Sequence, residues 1–307
     1  MTGASGFVGA NLVRRLLNQG HEVACLTRNP PGALRLVSLA GPTSVVACDL
    51  LDAEGLRRVV RNADPEIIIH LASTPFNPPT ISAWTHVEVV ALGTLNLLEA
   101  ARCQGARIVI AGSAAEYGDG DGLREDAPLR PGTMLGAAKA AAGIWAQAYA
   151  RIYGTQTVVL RLFTPFGPWE GPDRLVPHVV LSALRGEDVL MTSGEQQRDF
   201  VYIDDVVDAF VRAAAVPLPA GTVLNVCSGR GVRVLDLVEK VLDLMGHPVR
   251  AYPGSLSNRP DEIWVISGDG SRSRALLDWV PRVSLDEGLL RSIAWITENR
   301  DLMANLG

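Results

Sequence analysis

"TGASGFVGANLVRRLL" (residues 2–17) decides the fold. Gly3, Gly6 and Gly9 recur at three-residue spacing and run straight into an amphipathic helical pattern. Glycines there let the backbone turn tightly and come close to a pyrophosphate. The helix start adds free N–H groups and the positive end of its dipole. Gly3, Gly6, Phe7, Val8 and Gly9 are therefore the candidate phosphate cradle. A plain turn is the competing reading, and the strand-like "HEVACLTR" (21–28) after the helix argues against it. Such a loop should follow a strand, yet only Met1 precedes it. The reading favoured is a start placed late, because losing a central strand leaves two neighbours unpaired.

The same alternation continues outward. "TSVVACD" (43–49), "EIIIHLA" (66–72), "ARIVIAG" (106–112) and "QTVVLRLF" (156–163) are short, β-branched and apolar, as strands buried on both faces read. Helical patterns separate them at 7–20, 53–63, 84–105 and 134–154. Regular βαβ alternation predicts an α/β fold, a Rossmann-type doubly wound parallel sheet. After residue 164 the rhythm breaks at the Pro/Gly-rich "TPFGPWEGPDRLVP". The division expected is a nucleotide-binding domain over 1–164 and a smaller C-terminal α/β substrate lobe over 165–307, with 196–215 returning to the first.

Composition narrows the function classes. The 307 residues are 48% hydrophobic and 20% charged, a soluble balance. No apolar run reaches the roughly 18 residues of a membrane span, and no secretory signal is visible. A net charge of −5 without a basic block argues against nucleic acid. Cys25, Cys48, Cys103 and Cys227 lack metal-ligand spacing and read as buried thiols of a reducing cytoplasm. Of 28 Lys plus Arg, only Lys139 and Lys240 are lysine. Lys240 lies on an exposed helix face by its periodicity. Lys139 stands in an alanine-rich segment, where a compact cation with a movable pKa has a use that arginine could not fill.

The end of the second expected strand selects the dinucleotide. An acidic residue there would bind the ribose hydroxyls of NAD, but the chain has Thr27-Arg28. Arginine suits the extra phosphate of NADP, so NADP(H) is expected over NAD(H); the alternative is an exposed strand-end arginine. Asp49 follows the third strand and is placed to reach the adenine.

With these residues in view, the chain resembles the extended short-chain dehydrogenase/reductase family, the epimerase/dehydratase group acting on nucleotide sugars. The resemblance spans essentially the whole chain. It rests on "TGASGFVG", "DLLD", "HLAS", "GTLNLLEAAR", "GSAAEYG", "LGAAK", "RLFTPFGP", "GEQQRDFVYIDDVVDAF", "NRPDE" and "LDWVPRVSLDEGL" in order. "GSAAEYG" and "PLRPGTMLGAAKAAA" are most similar to reductases of 4-keto-6-deoxy sugar nucleotides.

The resemblance implies hydride transfer between a nicotinamide and a sugar carbon, with a tyrosine exchanging the matching proton. A lysine binds the nicotinamide ribose, and a serine or threonine holds the sugar oxygen. Carried over, the hydroxyl is Ser113 and the lysine Lys139. The tyrosine position is Leu135, and a family asparagine is Val90. Tyr149 and Tyr153 lie roughly 15–20 Å along the same helix from Lys139, too far to substitute. Tyr117 and Glu116 share the loop of Ser113, and Tyr117 is the candidate surrogate acid, although the family normally packs it. A 4,6-dehydratase would want Asp-Glu after Ser113; the chain has Ala114-Ala115.

The implied cofactor contacts continue through Leu50, Leu71, Ala72 and Ser73. Arg198 and Arg259 match positions that grip the substrate pyrophosphate, and Thr164 stands where relatives keep an asparagine. Trp169 either walls the nucleotide pocket or packs its loop, and His178 reads as structural. The partners implied are a nucleotide sugar and a second copy of the chain, joined through the small-residue faces of helices 82–104 and 133–153. Three readings follow: an NADP(H)-dependent 4-ketoreductase or epimerase lacking the usual tyrosine, a non-redox enzyme on the same scaffold, or a binding protein without turnover.

Overall fold

The computed structural model describes residues 1–37, 39, 41, 43–74 and 81–306. Its main sheet holds β1 (Val23–Thr27), β2 (Thr43–Ala47), β3 (Ile67–His70), β4 (Arg107–Ser113), β6 (Thr157–Leu162) and β10 (Thr222–Val226). Every pairing is parallel, in the orders β2–β1 and β3–β4–β6–β10. Thr2 joins the two runs through parallel bridges to Leu26 and His70. The Leu26 N–H donates to the Met1 carbonyl at 2.7 Å, and the Leu71 N–H to that of Thr2 at 3.1 Å. Met1 and Thr2 thus stand where the expected leading strand would run.

The two-residue period of the strands divides the core. Val109, Ala111, Val158 and Leu160 face α1 (Phe7–Asn18) and α7 (Ile203–Ala215). Ile108, Ile110 and Val159 face α2 (Ala53–Ala63), α4 (Gly93–Ala101) and α5 (Met134–Tyr153). Helices therefore cover both sides, as near-continuous apolar strands require. β2 departs from the expectation: it is the outer strand, and Ser44, Val45 and Ala47 are exposed.

The helix read at 84–105 is three pieces in line: α3 (Ala83–His86), a π-helical segment (Val87–Leu92) and α4. Such segments concentrate at functional sites, and Val90 lies in this one.

A second sheet contains β5 (Gly120–Leu123), β7 (Thr164–Phe166), β9 (Gln197–Tyr202), β11 (Gly231–Arg233) and β13 (Val265–Gly268), in the order β11–β9–β13–β5 with β7 beside β9. β8 (Val189–Leu190) pairs with β12 (Ala251–Tyr252). α6 (Leu175–Arg185), α8 (Val234–Leu244) and α10 (Leu285–Glu298) pack together; α9 (Ser271–Leu277) lies against β10, and α11 (Arg300–Met303) follows α10.

The expected boundary at 164 does not separate the sheets. β5, from the first half, pairs with β13, and β10, from the second half, extends the main sheet. Of the returning segment 196–215, α7 covers the main sheet while β9 belongs to the second. The cysteine expectation also needs correction: Cys25 and Cys227 are buried, Cys48 is half-buried and Cys103 is exposed. No helix among the described residues is long and apolar enough to cross a membrane.

Candidate active site

Parallel strands put their C-terminal ends on one edge, and the crevice lies where the strand order reverses. Here that point is Thr2, between β1 and β3. Gly3 has φ +67°, and a Cβ on it would lie 2.5 Å from the Leu71 carbonyl carbon. A Cβ on Gly9 would meet the Gly3 carbonyl oxygen at 2.1 Å. Only glycine fits either place. Gly6 caps α1 without a side-chain acceptor, so Phe7, Val8 and Gly9 present the start of the helix to the crevice. This bare, glycine-lined helix start fits a dinucleotide diphosphate.

Arg28 is exposed just beyond β1. Asp49 is exposed beyond β2, with Oδ1 accepting from the Leu51 N–H at 2.9 Å. Leu50 packs over Gly93, and its carbonyl accepts from Asn96 Nδ2 at 2.8 Å. Leu71, Ala72 and Ser73 follow β3, and the Ala72 N–H donates to Thr2 Oγ1 at 3.3 Å.

Ser113 ends β4 on the same edge. Its Oγ accepts from the Ala115 N–H at 3.2 Å, and its N–H donates to Glu116 Oε1 at 2.7 Å, a reciprocal capping box. Helix α5 begins beside this turn. Thr133 caps it, accepting from the Gly136 N–H at 3.0 Å, worth about 1 kcal/mol. A Cβ on Gly136 would meet the Ala115 carbonyl oxygen at 2.4 Å, so glycine lets the helix press against the serine turn. That contact sets the first turns of α5, which carry Leu135 and Lys139, against the end of β4 and its serine turn.

Lys139 is buried, and its Nζ donates to the Ala111 carbonyl at 2.8 Å. Burial lowers its pKa to about 8, and the neighbouring Glu116 carboxylate pulls the other way. Leu135 packs against an apolar cluster of Val90, Ala138 and Ala142. The two positions that read as apolar replacements thus meet in space.

Tyr117 is corrected as the surrogate acid. It is 2% exposed, its hydroxyl donates to Asn225 Oδ1 at 2.7 Å and accepts from Arg161 Nη1 at 2.8 Å. Burial pushes its pKa up to about 12, against the pull of Arg161. Glu116, fully buried, accepts from Arg161 Nε at 2.8 Å. Both face the interior, not the crevice.

Thr164 pairs with Phe200, two residues after Arg198, so the two lie on adjoining strands. Arg198 Nη2 donates to Glu262 Oε1 at 2.6 Å. Burial holds its guanidinium below the ordinary value, Glu262 pulls it back up, and nearby Arg259 pushes it down. Two guanidiniums converging by β9 make chemical sense for a diphosphate. Trp169 makes packing contacts: its ring centre lies 3.9 Å from the Arg14 guanidinium carbon and 5.2 Å from the Trp295 ring centre, and its carbonyl accepts from Arg35 Nε.

A family model for the NAD dependent epimerase/dehydratase family matches residues 1–227. The chain belongs to that family. A UDP-glucose 4-epimerase of Mycolicibacterium smegmatis is 30% identical to it, over 95% of this chain and 96% of that one. Among solved structures, MoeE5 in complex with UDP-glucuronic acid and NAD shares 31% identity at a TM-score of 0.88, covering 97% of this chain and 98% of that one. DesIV, a dTDP-glucose 4,6-dehydratase from Streptomyces venezuelae with NAD and TYD bound, shares 28% identity at a TM-score of 0.89, covering 100% and 98%. The parallel-sheet α/β fold expected from the sequence is the one these relatives share.

Several buried polar residues around the crevice and the second sheet were not singled out from sequence. His70 is buried, with Nδ1 2.6 Å from Thr2 Oγ1 and Nε2 2.9 Å from Thr94 Oγ1; the Thr94 hydroxyl donates onward to the Val90 carbonyl at 2.5 Å. Burial, then the Lys139 charge, lowers the His70 pKa to about 3, so it is a neutral link between sheet and π segment. Asp199 is fully buried and accepts from the N–H groups of Ser228, Gly229 and Gly268, fastening β9 to the ends of β10 and β13. Its place in "RDF" was the available signal. His86, buried against Thr74 Oγ1 at 2.7 Å, carried none.

Proposed function

We propose that the chain is a nicotinamide-dependent enzyme that modifies a sugar linked to a nucleoside diphosphate, by 4-keto reduction or epimerisation. The observation that carries the reading is the approach of α5 to the Ser113 turn at Gly136, together with the bond from Lys139 Nζ to the Ala111 carbonyl of the strand that ends in Ser113. A site reduced to packing would have no use for a buried lysine there.

Gly3, Gly6, Phe7, Val8 and Gly9 hold the dinucleotide diphosphate, with Asp49 and Leu50 toward the adenine and Leu71, Ala72 and Ser73 along its other side. Arg28 supports NADP(H), although the bound relatives named above carry NAD. When bound, the nicotinamide exchanges a hydride with a sugar carbon. Lys139 binds the nicotinamide ribose, Ser113 donates its hydroxyl to the reacting oxygen, and water supplies the proton that Leu135 cannot. Positioning alone provides much of the barrier lowering. Arg198, Arg259 and Thr164 hold the sugar nucleotide's diphosphate. Dehydration through an Asp-Glu pair is disfavoured, because Ala114 and Ala115 stand in its place and carry no acid.

A homodimer suits the outer helices, but on different residues from those expected. Ala138, Ala142, Gly143, Ala146 and Ala150 turn inward. The outward face carries Trp84, Ile144, Trp145, Ile152 and Tyr153. Four cysteines without a disulfide suit a reducing cytoplasm.

A second reading, binding without turnover, is favoured by the Leu135–Val90 cluster. NADPH and NADH consumption with a panel of nucleotide-linked 4-keto-6-deoxy sugars, beside Leu135→Tyr, decides between them. Oxidation by the native chain supports the enzyme. Tight binding of both ligands with no product from the native chain overturns it.

A further inference from the structure

The buried charges beneath the site do not balance. Arg161 pairs with the fully buried Glu116 carboxylate, and the buried Lys139, whose Nζ is held by the Ala111 carbonyl, lies within reach of the same charge. Glycines make its space: a Cβ on Gly112 would lie 2.7 Å from Glu116 Oε1, and one on Gly143 would lie 3.6 Å from Oε2. Gly112 follows Ala111, whose carbonyl accepts from Lys139 Nζ. Gly143 lies one helical turn beyond Lys139 on α5. The carboxylate is therefore wedged between the strand and the helix that hold the lysine. Its Oε1 also accepts from the Ser113 N–H at 2.7 Å.

We propose that Glu116 is a positioning residue for Lys139 and Ser113: it keeps the lysine ammonium charged and in place at the end of β4. The site then presents a fixed cation beside a hydroxyl where it has no phenol. The inference rests on reading Lys139 and Ser113 as site residues. A solely structural Glu116, serving as the counter-ion of Arg161, is the competing role.

The other titratable groups around Lys139 and Glu116 do not replace that carboxylate. His70, from β3, is neutral and hydrogen-bonded at both nitrogens. Arg161, from β6, is a like charge. Tyr117 is a buried phenol bound to Arg161 and Asn225. The π segment across α5 contributes Val90. An opposite charge within about 4–6 Å moves a titration by roughly 1–3 pH units.

The composition permits a direct test, since Lys139 and Lys240 are the two lysines of the chain. Labelling lysine at Nζ and Cε gives two NMR signals, assigned with Lys139→Arg, and their titration needs neither cofactor nor substrate. In the native chain Lys139 should keep its proton through pH 7. In Glu116→Gln its titration should fall by about one unit or more, Lys240 staying fixed, and Glu116→Asp should recover part of the shift. An unmoved Lys139 in folded Glu116→Gln overturns the proposal. Should that variant not fold, Glu116→Asp carries the test: a smaller downward shift of Lys139 supports the proposal and an unmoved Lys139 overturns it. The expected titration in a chain that binds no dinucleotide refutes the reading of the site while supporting the pairing.

Discussion

Leu135, in the first turn of α5, packs into the same apolar cluster as Val90 in the facing π segment. A phenol and an amide are expected at these positions; two hydrocarbons share an apolar cluster there instead. Reverting either residue alone should restore less than reverting both. Leu135→Tyr with Val90→Asn should exceed the product of the single gains, with a coupling of about 0.5–3 kcal/mol. The pair should raise NAD(P)H turnover on the order of 10²-fold, the lower end for a positioned acid. Steady-state assays of the four forms check it, and strict additivity would refute the coupling.

Dinucleotide binding should weaken as pH rises through about 8, because Lys139 loses its ammonium there. The stability effect has the opposite slope. Between about 8 and the ordinary 10.5 the unfolded chain holds more protons, so the lysine's destabilising effect fades as pH rises. Lys139→Met should bind more weakly and independently of pH over this range. Fluorescence titrations from pH 6.5 to 9.5 provide the comparison.

Glu170 is a liability that can be removed. It is buried, Oε2 has no partner among the described residues, and Arg174 stands 3.6 Å from its other oxygen. Burial pushes its pKa up to about 7, Arg174 notwithstanding. Between the ordinary 4.5 and about 7 the folded chain holds more protons, so stability falls as pH rises across that window. Glu170→Gln should gain about 1–3 kcal/mol at pH 8 and almost nothing below pH 4.5. Urea unfolding at both pH values tests the sign.

Arg28 should decide the preference between dinucleotides. Replacing it with Glu puts a carboxylate where a 2′-phosphate would sit, so the NADPH-to-NADH ratio of kcat/KM should fall at least ~10-fold, about 1.4 kcal/mol. An unchanged ratio would return Arg28 to the role of an exposed strand-end residue.

Ile144 and Ile152 are 55% and 66% exposed on the outer side of α5. If that face joins two copies, Ile152→Arg should give monomers in sedimentation experiments without altering the monomer's circular dichroism. A native chain that sediments as a monomer rules the face out.

The strands were legible because β-branched runs flanked by turns have one economical packing, and the glycine loop because its spacing has a geometric cause. The role of "GSAAEYG" was not. Tyr117 and Glu116 follow Ser113 closely, and nothing in the chain order says that they turn inward. Their partners, Asn225 and Arg161, come from strands 108 and 45 residues away along the chain. Likewise the alanines of α5 suggested an outer face, whereas they fill its inner one, where small side chains let the helix approach the sheet and π segment. Lys139 stood out in its alanine-rich segment, and the buried carboxylate wedged between its helix and β4 did not.

The placement of β5 and β10 has a consequence for how such proteins diversify. Each sheet takes a strand from the other half of the chain, so one crossover near residue 164 would break both sheets. A viable chimaera needs several matched junctions. Small changes within an unbroken chain, such as the Leu135 and Val90 pair, are the more accessible route to a new specificity.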